Sequence, residues 1–311
     1  MKRKETLTGI CFVLPGLIGF IIFILIPVIM SLGISFTEWN FLKGWDSIKF
    51  TGLRNYLKLF KDDWFVVSLR NNILFTAVTV PCLLILGLVM ADLINRHTYG
   101  GSAIRVMIFI PYIASVVAVC TVWQVMLQPS YGPINEFLHT IGIENPPKWL
   151  VDEHWALIAI MLINIWSQVG YYVAVYMSGL KNVPADLYEA AQLDGCSHFT
   201  FLGKVVLPLS KAIISVEVLY YAVYHWNDYF TALMYTNNDA KIQPLQTVLR
   251  QILLLNESYA NGNGGVQGGY GQSSADQVKY AVIIVSTVPI LCVYPFVQKY
   301  FEKGVMIGAV K

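Results

Sequence analysis

The sequence is short of charged residues. Only 13% of its 311 residues are aspartate, glutamate, lysine or arginine, whereas 56% are hydrophobic. A soluble globular domain has about 25% charged residues, so the composition excludes a soluble domain and indicates an integral membrane protein. The formal net charge of +2 does not suggest nucleic acid binding.

The sequence also lacks the motifs typical of metal sites, disulfide frameworks and nucleotide-binding sites. Its five cysteines are scattered without a Cys-x-x-Cys spacing, so they are interpreted as small buried hydrophobic residues. Residues 261–271 are rich in glycine but lack the Gly-Lys-Ser/Thr of a phosphate-binding loop, which indicates a flexible loop. We therefore expect no metal site and no directly bound cofactor.

Six apolar segments are each long enough to cross a bilayer, which takes about 20 residues. They are residues 9–33, 72–94, 104–127, 155–178, 208–235 and 280–298. Backbone polar groups in lipid must be satisfied within the segment, so each is predicted to be a helix. Pro15, Pro27 and Pro81 predict kinks rather than breaks. The predicted fold class is all-α, a polytopic membrane protein with six transmembrane helices.

Basic residues predict the orientation of these helices. With the N-terminus inside, the inner segments are much shorter than the outer ones and hold slightly more lysine and arginine. The positive-inside rule then favours cytoplasmic N- and C-termini. The apolar run after Lys2, Arg3 and Lys4 is longer than a signal-peptide core, so we expect it to be a retained first span.

The segment between the fourth and fifth spans carries more pattern than a connecting loop needs. Glu189, Ala190 and Ala191 place one charged side chain beside a surface flat enough for another protein to approach. Gly195 permits a backbone turn that other residues resist, and Pro208 suits the first turn of a following helix. The combination indicates a docking element, although any single carboxylate here could be a solvated loop residue.

This segment resembles the Glu-Ala-Ala loop of the permease subunits of binding-protein-dependent ABC importers. That family has a glycine six residues after the glutamate and a later Ile-x-Leu-Pro, where this chain has Val205 in place of isoleucine. The resemblance implies a coupling loop at about residues 182–207, in which the segment around Glu189 forms a short helix that docks on a cytoplasmic ATPase. The coupling residues it implies are Glu189, Ala190, Ala191, Asp194, Gly195, Leu207 and Pro208.

The resemblance covers nearly the whole chain. Residues 7–180 are similar to the first permease subunit of maltose- and glycerol-phosphate-type systems, for example in Gly-Leu-Arg-Asn-Tyr at 52–56. From about Cys196 the chain resembles the second subunit of oligosaccharide systems, as in Tyr-Pro-Phe at 294–296. The implied domains are 1–67 (tail, first helix and outer loop), 68–296 (a type-1 ABC transmembrane domain of five helices) and 297–311 (a cytoplasmic tail).

The function implied is the translocation subunit of an ATP-driven importer for a carbohydrate, an oligosaccharide, in the cell membrane of a prokaryote. The implied partners are a second permease, two subunits that use ATP and Mg²⁺, an extracytoplasmic sugar-binding protein and membrane lipid. One alternative is a permease for another solute, such as glycerol phosphate. A polytopic membrane enzyme is a second alternative. It would need a set of catalytic residues at one depth, but of the five histidines only His225, near Asp228, lies within a span. We therefore expect no enzyme activity.

Two stripes of polar and aromatic residues mark a candidate substrate path. On the fifth span these are Glu217, Tyr221, Tyr224 and Asp228, and on the fourth they are Asn164, Gln168 and Tyr171. Their spacing of three or four residues puts each set on one helix face. Sugars are bound by hydrogen-bonding groups and aromatic faces, which both stripes supply. The alternative is packing, because polar side chains also hydrogen-bond between spans.

We expect Glu189→Lys to leave the protein inserted but to abolish uptake. The reversed charge would oppose a basic group of the partner and disturb the ATPase contact. Uptake by whole cells and co-purification of the ATPase measure the two effects. Unchanged uptake with normal co-purification would contradict the docking role.

Overall fold

Helices dominate the computed structural model, which describes residues 2–39, 44–96, 101–181, 186, 193, 195–209, 211–235, 242–260 and 272–309. The α-helices are Lys2–Phe20, Ile26–Ser35, Arg54–Phe60, Asp63–Arg96, Gly101–Ile113, Val116–Met126, Pro133–Thr140, Glu153–Lys181, His198–Phe201, Leu207–Leu209, Lys211–Trp226, Phe230–Tyr235, Leu245–Ala260 and Gln272–Ala309. Ile21–Leu25 and Leu202–Val206 are π-helical, and Trp45–Ser47 is a 3₁₀ turn. Strands Thr37–Glu38 and Lys49–Phe50 pair antiparallel.

The chain forms two compact units, one of Met1–Val66 with Val248–Pro289 and the other of Val67–Thr247 with Ile290–Lys311. In the first unit the helical path passes Pro15 and Pro27 without ending, because a π-helical turn precedes Pro27. In the second unit the Asp63–Arg96 helix likewise contains Pro81. The prolines therefore do not break these spans, as the sequence predicted.

Four of the described helices are long and apolar enough to span a membrane, namely Gly9–Ser35, Asp63–Asn95, Glu153–Leu180 and Val278–Pro295. The third predicted segment consists of Gly101–Ile113 and Val116–Met126, which meet at 95° and count as a fifth span if taken together. Ser115, at the break, has extended backbone with φ −56° and ψ 128°.

The predicted fifth segment, 208–235, is also not one helix. Lys211–Trp226 and Phe230–Tyr235 are separated by three non-helical residues, and each is shorter than the about 20 residues that a straight crossing takes. The structure thus confirms an all-α, multi-pass membrane protein. It differs from six continuous spans at these two breaks.

Aspartates begin two of the long helices. The carboxylate of Asp62 accepts the backbone N–H of Phe65 at 2.9 Å, and that of Asp152 accepts the N–H of His154 at 2.8 Å. Both satisfy a first-turn donor that has no partner within the helix. In Asp152, this backbone hydrogen bond holds the pKa of the carboxyl below its usual value, because it favours the charged form.

Two glycines allow close helix packing in the second unit. A Cβ at Gly170 would overlap the carbonyl oxygen of Ile108 and lie 2.9 Å from the Cα of Phe109. A Cβ at Gly87 would lie 2.6 Å from the Cβ of Tyr172. Small residues are typical of such contacts between membrane helices, since they let the backbones approach.

Gly170→Ala should destabilise the protein, whereas Gly179→Ala in the same helix should not. The added methyl at position 170 would overlap the facing backbone, and overpacking typically costs about 1–3 kcal/mol. Among the described residues, and apart from the backbone of its own helix, no atom lies within 4 Å of a Cβ built at Gly179, and alanine is the better helix former. Thermal unfolding of both variants in one detergent measures the difference, and equal melting temperatures would contradict the close contact.

Candidate substrate cavity and coupling loop

A cavity of about 590 Å³ lies beside the C-terminal half of the Lys211–Trp226 helix. Five aromatic rings line it, together with two amides, one carboxyl group and two aliphatic side chains. The lining residues are Leu219, Tyr220, Val223, Tyr224, Asn227, Asp228, Tyr229, Phe230, Tyr294 and Gln298. The cavity therefore offers flat apolar faces and hydrogen-bonding groups in one place.

The break after Trp226 brings two of the polar groups to the cavity. The side-chain amide of Asn227 donates to the carbonyl of Val223 at 2.8 Å, which caps the end of the helix. The Asp228 carboxylate accepts the N–H of Thr231 at 3.2 Å and begins the Phe230–Tyr235 helix. Irregular backbone at membrane depth is tolerated where it is buried in protein or lines a wet cavity, and this break lines the cavity.

A hydrogen bond from another helix supports the backbone just before the break. The side-chain amide of Asn72, in the Asp63–Arg96 helix, donates to the carbonyl of Trp226 at 3.3 Å. This carbonyl lies in the last turn of its helix, where carbonyls lack partners within the helix. Asn72 therefore links two sequence-distant helices at the edge of the cavity.

The structure separates the predicted stripe on the fifth span into two environments. Tyr224 and Asp228 line the cavity, and 50% of Tyr224 is exposed. Tyr221 is 7% exposed, and its ring centroid lies 4.2 Å from that of Tyr172 in the apolar core. Glu217 is half-buried outside the cavity lining and hydrogen-bonds with Tyr221.

The stripe on the fourth span contacts the stripe on the fifth. The side chain of Gln168 lies near enough to the hydroxyl of Tyr224 to interact with it, and the ring of Tyr171 lies 6.0 Å from that of Tyr221. Asn164 is buried. Tyr171 and Tyr221 are thus placed for packing between helices, and Gln168 is placed to orient a cavity residue. Whether the two stripes carry substrate stays a prediction.

Eight of the ten described lining residues were not predicted from the sequence, among them Tyr294, Gln298 and Tyr220. Tyr294 and Gln298 lie four residues apart in the last long helix, a spacing that puts both on one helix face. Tyr220 precedes Tyr221 directly and is largely exposed. The polar spacing in the last span could have indicated the first two, but only the packing shows that they meet the fifth segment.

The structure describes three residues of the predicted coupling set. Gly195 has a φ of +66°, the left-handed conformation that glycine adopts without penalty. Leu207 and Pro208 belong to a helical stretch that begins at His198 and includes a π-helical turn. Pro208 therefore lies inside a helical stretch, contrary to the expected first turn. Glu189, Ala190, Ala191 and Asp194 lie outside the described residues.

The cysteines and His225 differ in exposure and have few polar partners among the described residues. All five cysteines are free, and Cys11 and Cys292 are exposed rather than buried as predicted. Within the part of the chain that the structure describes, no three His, Cys, Asp or Glu side chains are grouped to hold a metal ion. His225 is buried, and neither ring nitrogen has a hydrogen-bond partner, so it forms no catalytic pair with Asp228.

Four or five candidate membrane spans among the described residues and a cavity at a helix break fit a membrane permease. Residues 83–307 match the family described as "binding-protein-dependent transport system inner membrane component". The chain belongs to this family. Its members are transport permeases and not enzymes, which excludes the membrane-enzyme alternative.

The chain is similar to two characterised permeases. YtcP of Bacillus subtilis, from a polygalacturonan/rhamnogalacturonan transport system, is 34% identical over 248 residues, or 79% of this chain and 76% of YtcP. MalF of Thermococcus litoralis, from a trehalose/maltose transport system, is 31% identical over 220 residues, or 70% of this chain and 73% of MalF.

The fold is also that of a solved ABC importer. A chain of a bacterial alginate ABC transporter, crystallised with a periplasmic protein that binds an alginate pentasaccharide, matches with a TM-score of 0.71. The match covers 95% of this chain and 93% of that chain at 21% sequence identity. The likeness establishes the type I importer permease fold predicted from the sequence.

Tyr224→Phe and Asp228→Asn should lower the transport rate per assembled complex, and Tyr221→Phe should not. The first two changes alter hydrogen-bonding groups of the cavity, whereas Tyr221 packs in the core. Transport in vesicles and thermal stability are measured on the same purified complexes. If Tyr224→Phe and Asp228→Asn lower only the stability, the residues serve packing and not transport.

Proposed function

We propose that this permease forms the translocation path of an ATP-driven importer for an oligosaccharide. The observation that carries the proposal is the cavity, where aromatic rings lie beside the polar side chains of Asn227, Asp228 and Gln298. Tyrosine rings stack on the apolar faces of sugars, while amides and carboxylates bond to their hydroxyls. Its volume of about 590 Å³ falls within the range of small-molecule sites, about 300–1,000 Å³.

The lining favours an uncharged sugar over glycerol phosphate. A phosphate is usually held by arginine, lysine or a helix N-terminus. Among the described lining residues none is lysine or arginine, and Asp228 contributes a carboxyl group. A charged solute at membrane depth without a partner of opposite charge is costly. MalF and YtcP both come from systems named for carbohydrates, which supports a sugar over glycerol phosphate. The preference for an uncharged sugar rests on the lining alone, since polygalacturonan carries carboxylates.

Membership of the family supports the remaining parts of the proposal. The family is described as binding-protein-dependent, and here the binding protein would be an extracytoplasmic sugar-binding protein. A second permease would complete the path, and two ATPase subunits would use ATP and Mg²⁺. The segment around Glu189 would dock on an ATPase, with both termini in the cytoplasm as the distribution of basic residues favours. Closure of the ATPases would then reopen the path to the other side of the membrane.

Deletion of this gene should abolish uptake of an uncharged oligosaccharide and leave uptake of glycerol phosphate unchanged. The expected difference arises because the described lining residues include no lysine or arginine for an anionic solute. The test measures uptake of labelled neutral oligosaccharides, uronate oligosaccharides and glycerol phosphate in the deletion strain. The control is the same strain complemented with the intact gene. Gene-dependent uptake of glycerol phosphate would overturn the sugar assignment, and gene-dependent uptake of only the uronates would overturn the preference for uncharged sugars.

A further inference from the structure

The short Arg54–Phe60 helix of the first unit has an exposed apolar face. Leu53, just before the helix, and Leu57 and Phe60 within it follow the spacing of one helix face. Leu53 and Leu57 are each 62% exposed and Phe60 is 54% exposed. Phe50, at the end of the neighbouring strand, is 81% exposed. All four large apolar side chains are therefore more than half exposed, although the ring of Phe60 also packs edge-on against that of Phe65.

The opposite face is fastened to the end of the first span. Asn55 is 2% exposed, and its side-chain amide donates to the carbonyls of Ser35 at 3.0 Å and Thr37 at 2.8 Å. The hydroxyl of Tyr56 lies 2.7 Å from that of Ser35. These bonds, together with the full burial of Leu59, fix the rotation of the helix about its axis. The apolar face therefore lies on the side away from Ser35 and Thr37.

Ser35 sets the depth at which this face lies. It is the last residue of the Gly9–Ser35 span, whose most apolar window has a mean hydropathy of 2.9 and no buried residue. The 27 residues of this span make a helix about 40 Å long, which matches the bilayer thickness with head groups included, so the span ends in the head-group region. A helix that is hydrogen-bonded to that end lies at the same depth, whichever side of the membrane Ser35 faces.

Basic residues accompany the apolar face. Lys58 and Lys61 lie in the last turn and just after the helix, and Lys49 precedes Phe50. Lysine side chains at a membrane surface extend their charged ends into the head-group region while their methylene groups cover apolar surface. Apolar residues on one face with lysines at the margins are typical of helices that lie in the membrane interface.

We propose that residues 50–60 form an interfacial anchor that binds the lipid surface. The Arg54–Phe60 helix lies along the membrane boundary, with Phe50, Leu53, Leu57 and Phe60 in the outer acyl region. Lipid is the partner because the apolar face continues from the end of an apolar, uncovered span at a depth that Asn55 and Tyr56 fix. The anchor would hold the span at a defined depth and rotation.

Spin labelling of the full-length protein tests this anchor. In a cysteine-free background, Leu57→Cys and the control Asp46→Cys, an exposed loop residue of the same unit, each carry a nitroxide. The proteins are placed in vesicles of phosphatidylcholine and phosphatidylglycerol without any partner protein. We expect the label at position 57 to collide several-fold more often with oxygen, and several-fold less often with a water-soluble nickel chelate, than the label at position 46.

Equal access of the nickel chelate to both labels would overturn the proposal and leave the face to a soluble partner protein. Hydroxyl-radical footprinting of the unmodified protein in nanodiscs of the same lipids repeats the test without substitutions. Leu53, Leu57 and Phe60 should then be protected, compared with Leu193, which is also exposed. Oxidation of the three residues at the rate of Leu193 would equally overturn the anchor.

Discussion

Backbone hydrogen bonding in lipid is the constraint on which this structure depends. Without water, every amide in a span needs a partner in the protein, so a continuous helix is the default and a break needs support. The break after Trp226 has that support, because Asn227, Asp228 and the amide of Asn72 bond to the backbone around it. Polar side chains are therefore concentrated where the helix stops, which is also where the cavity lies.

The same constraint explains why the membrane helices were predictable and their breaks were not. Length and hydropathy are sufficient to identify a span, and the first, second, fourth and last were identified in this way. Residues 106–123 contain no charged residue, so hydropathy gives little indication of the sharp bend at Ser115. Pro111, four residues earlier, lies inside a helix and does not mark the break itself.

The candidate site was predictable only to the level of a helix face. The spacing of Tyr221, Tyr224 and Asp228 correctly predicted that they share one face of an isolated helix. In the folded protein, however, Tyr172 of a neighbouring helix covers Tyr221, whereas Tyr224 remains open to the cavity. Which residues a neighbouring helix covers depends on tertiary packing, as the close contact at Gly170 also does. No local pattern in a single sequence indicates such contacts.

The hydrogen bonds of two asparagines also imply an order of assembly. Asn55 bonds to a carbonyl 20 residues away, whereas Asn72 bonds to one 154 residues away. Contacts close in sequence form fast, and distant contacts wait for the intervening chain. The contact between Asn55 and Ser35 can therefore form while the ribosome is still synthesising the second span. The cavity edge, in contrast, is completed only after two-thirds of the protein has been synthesised.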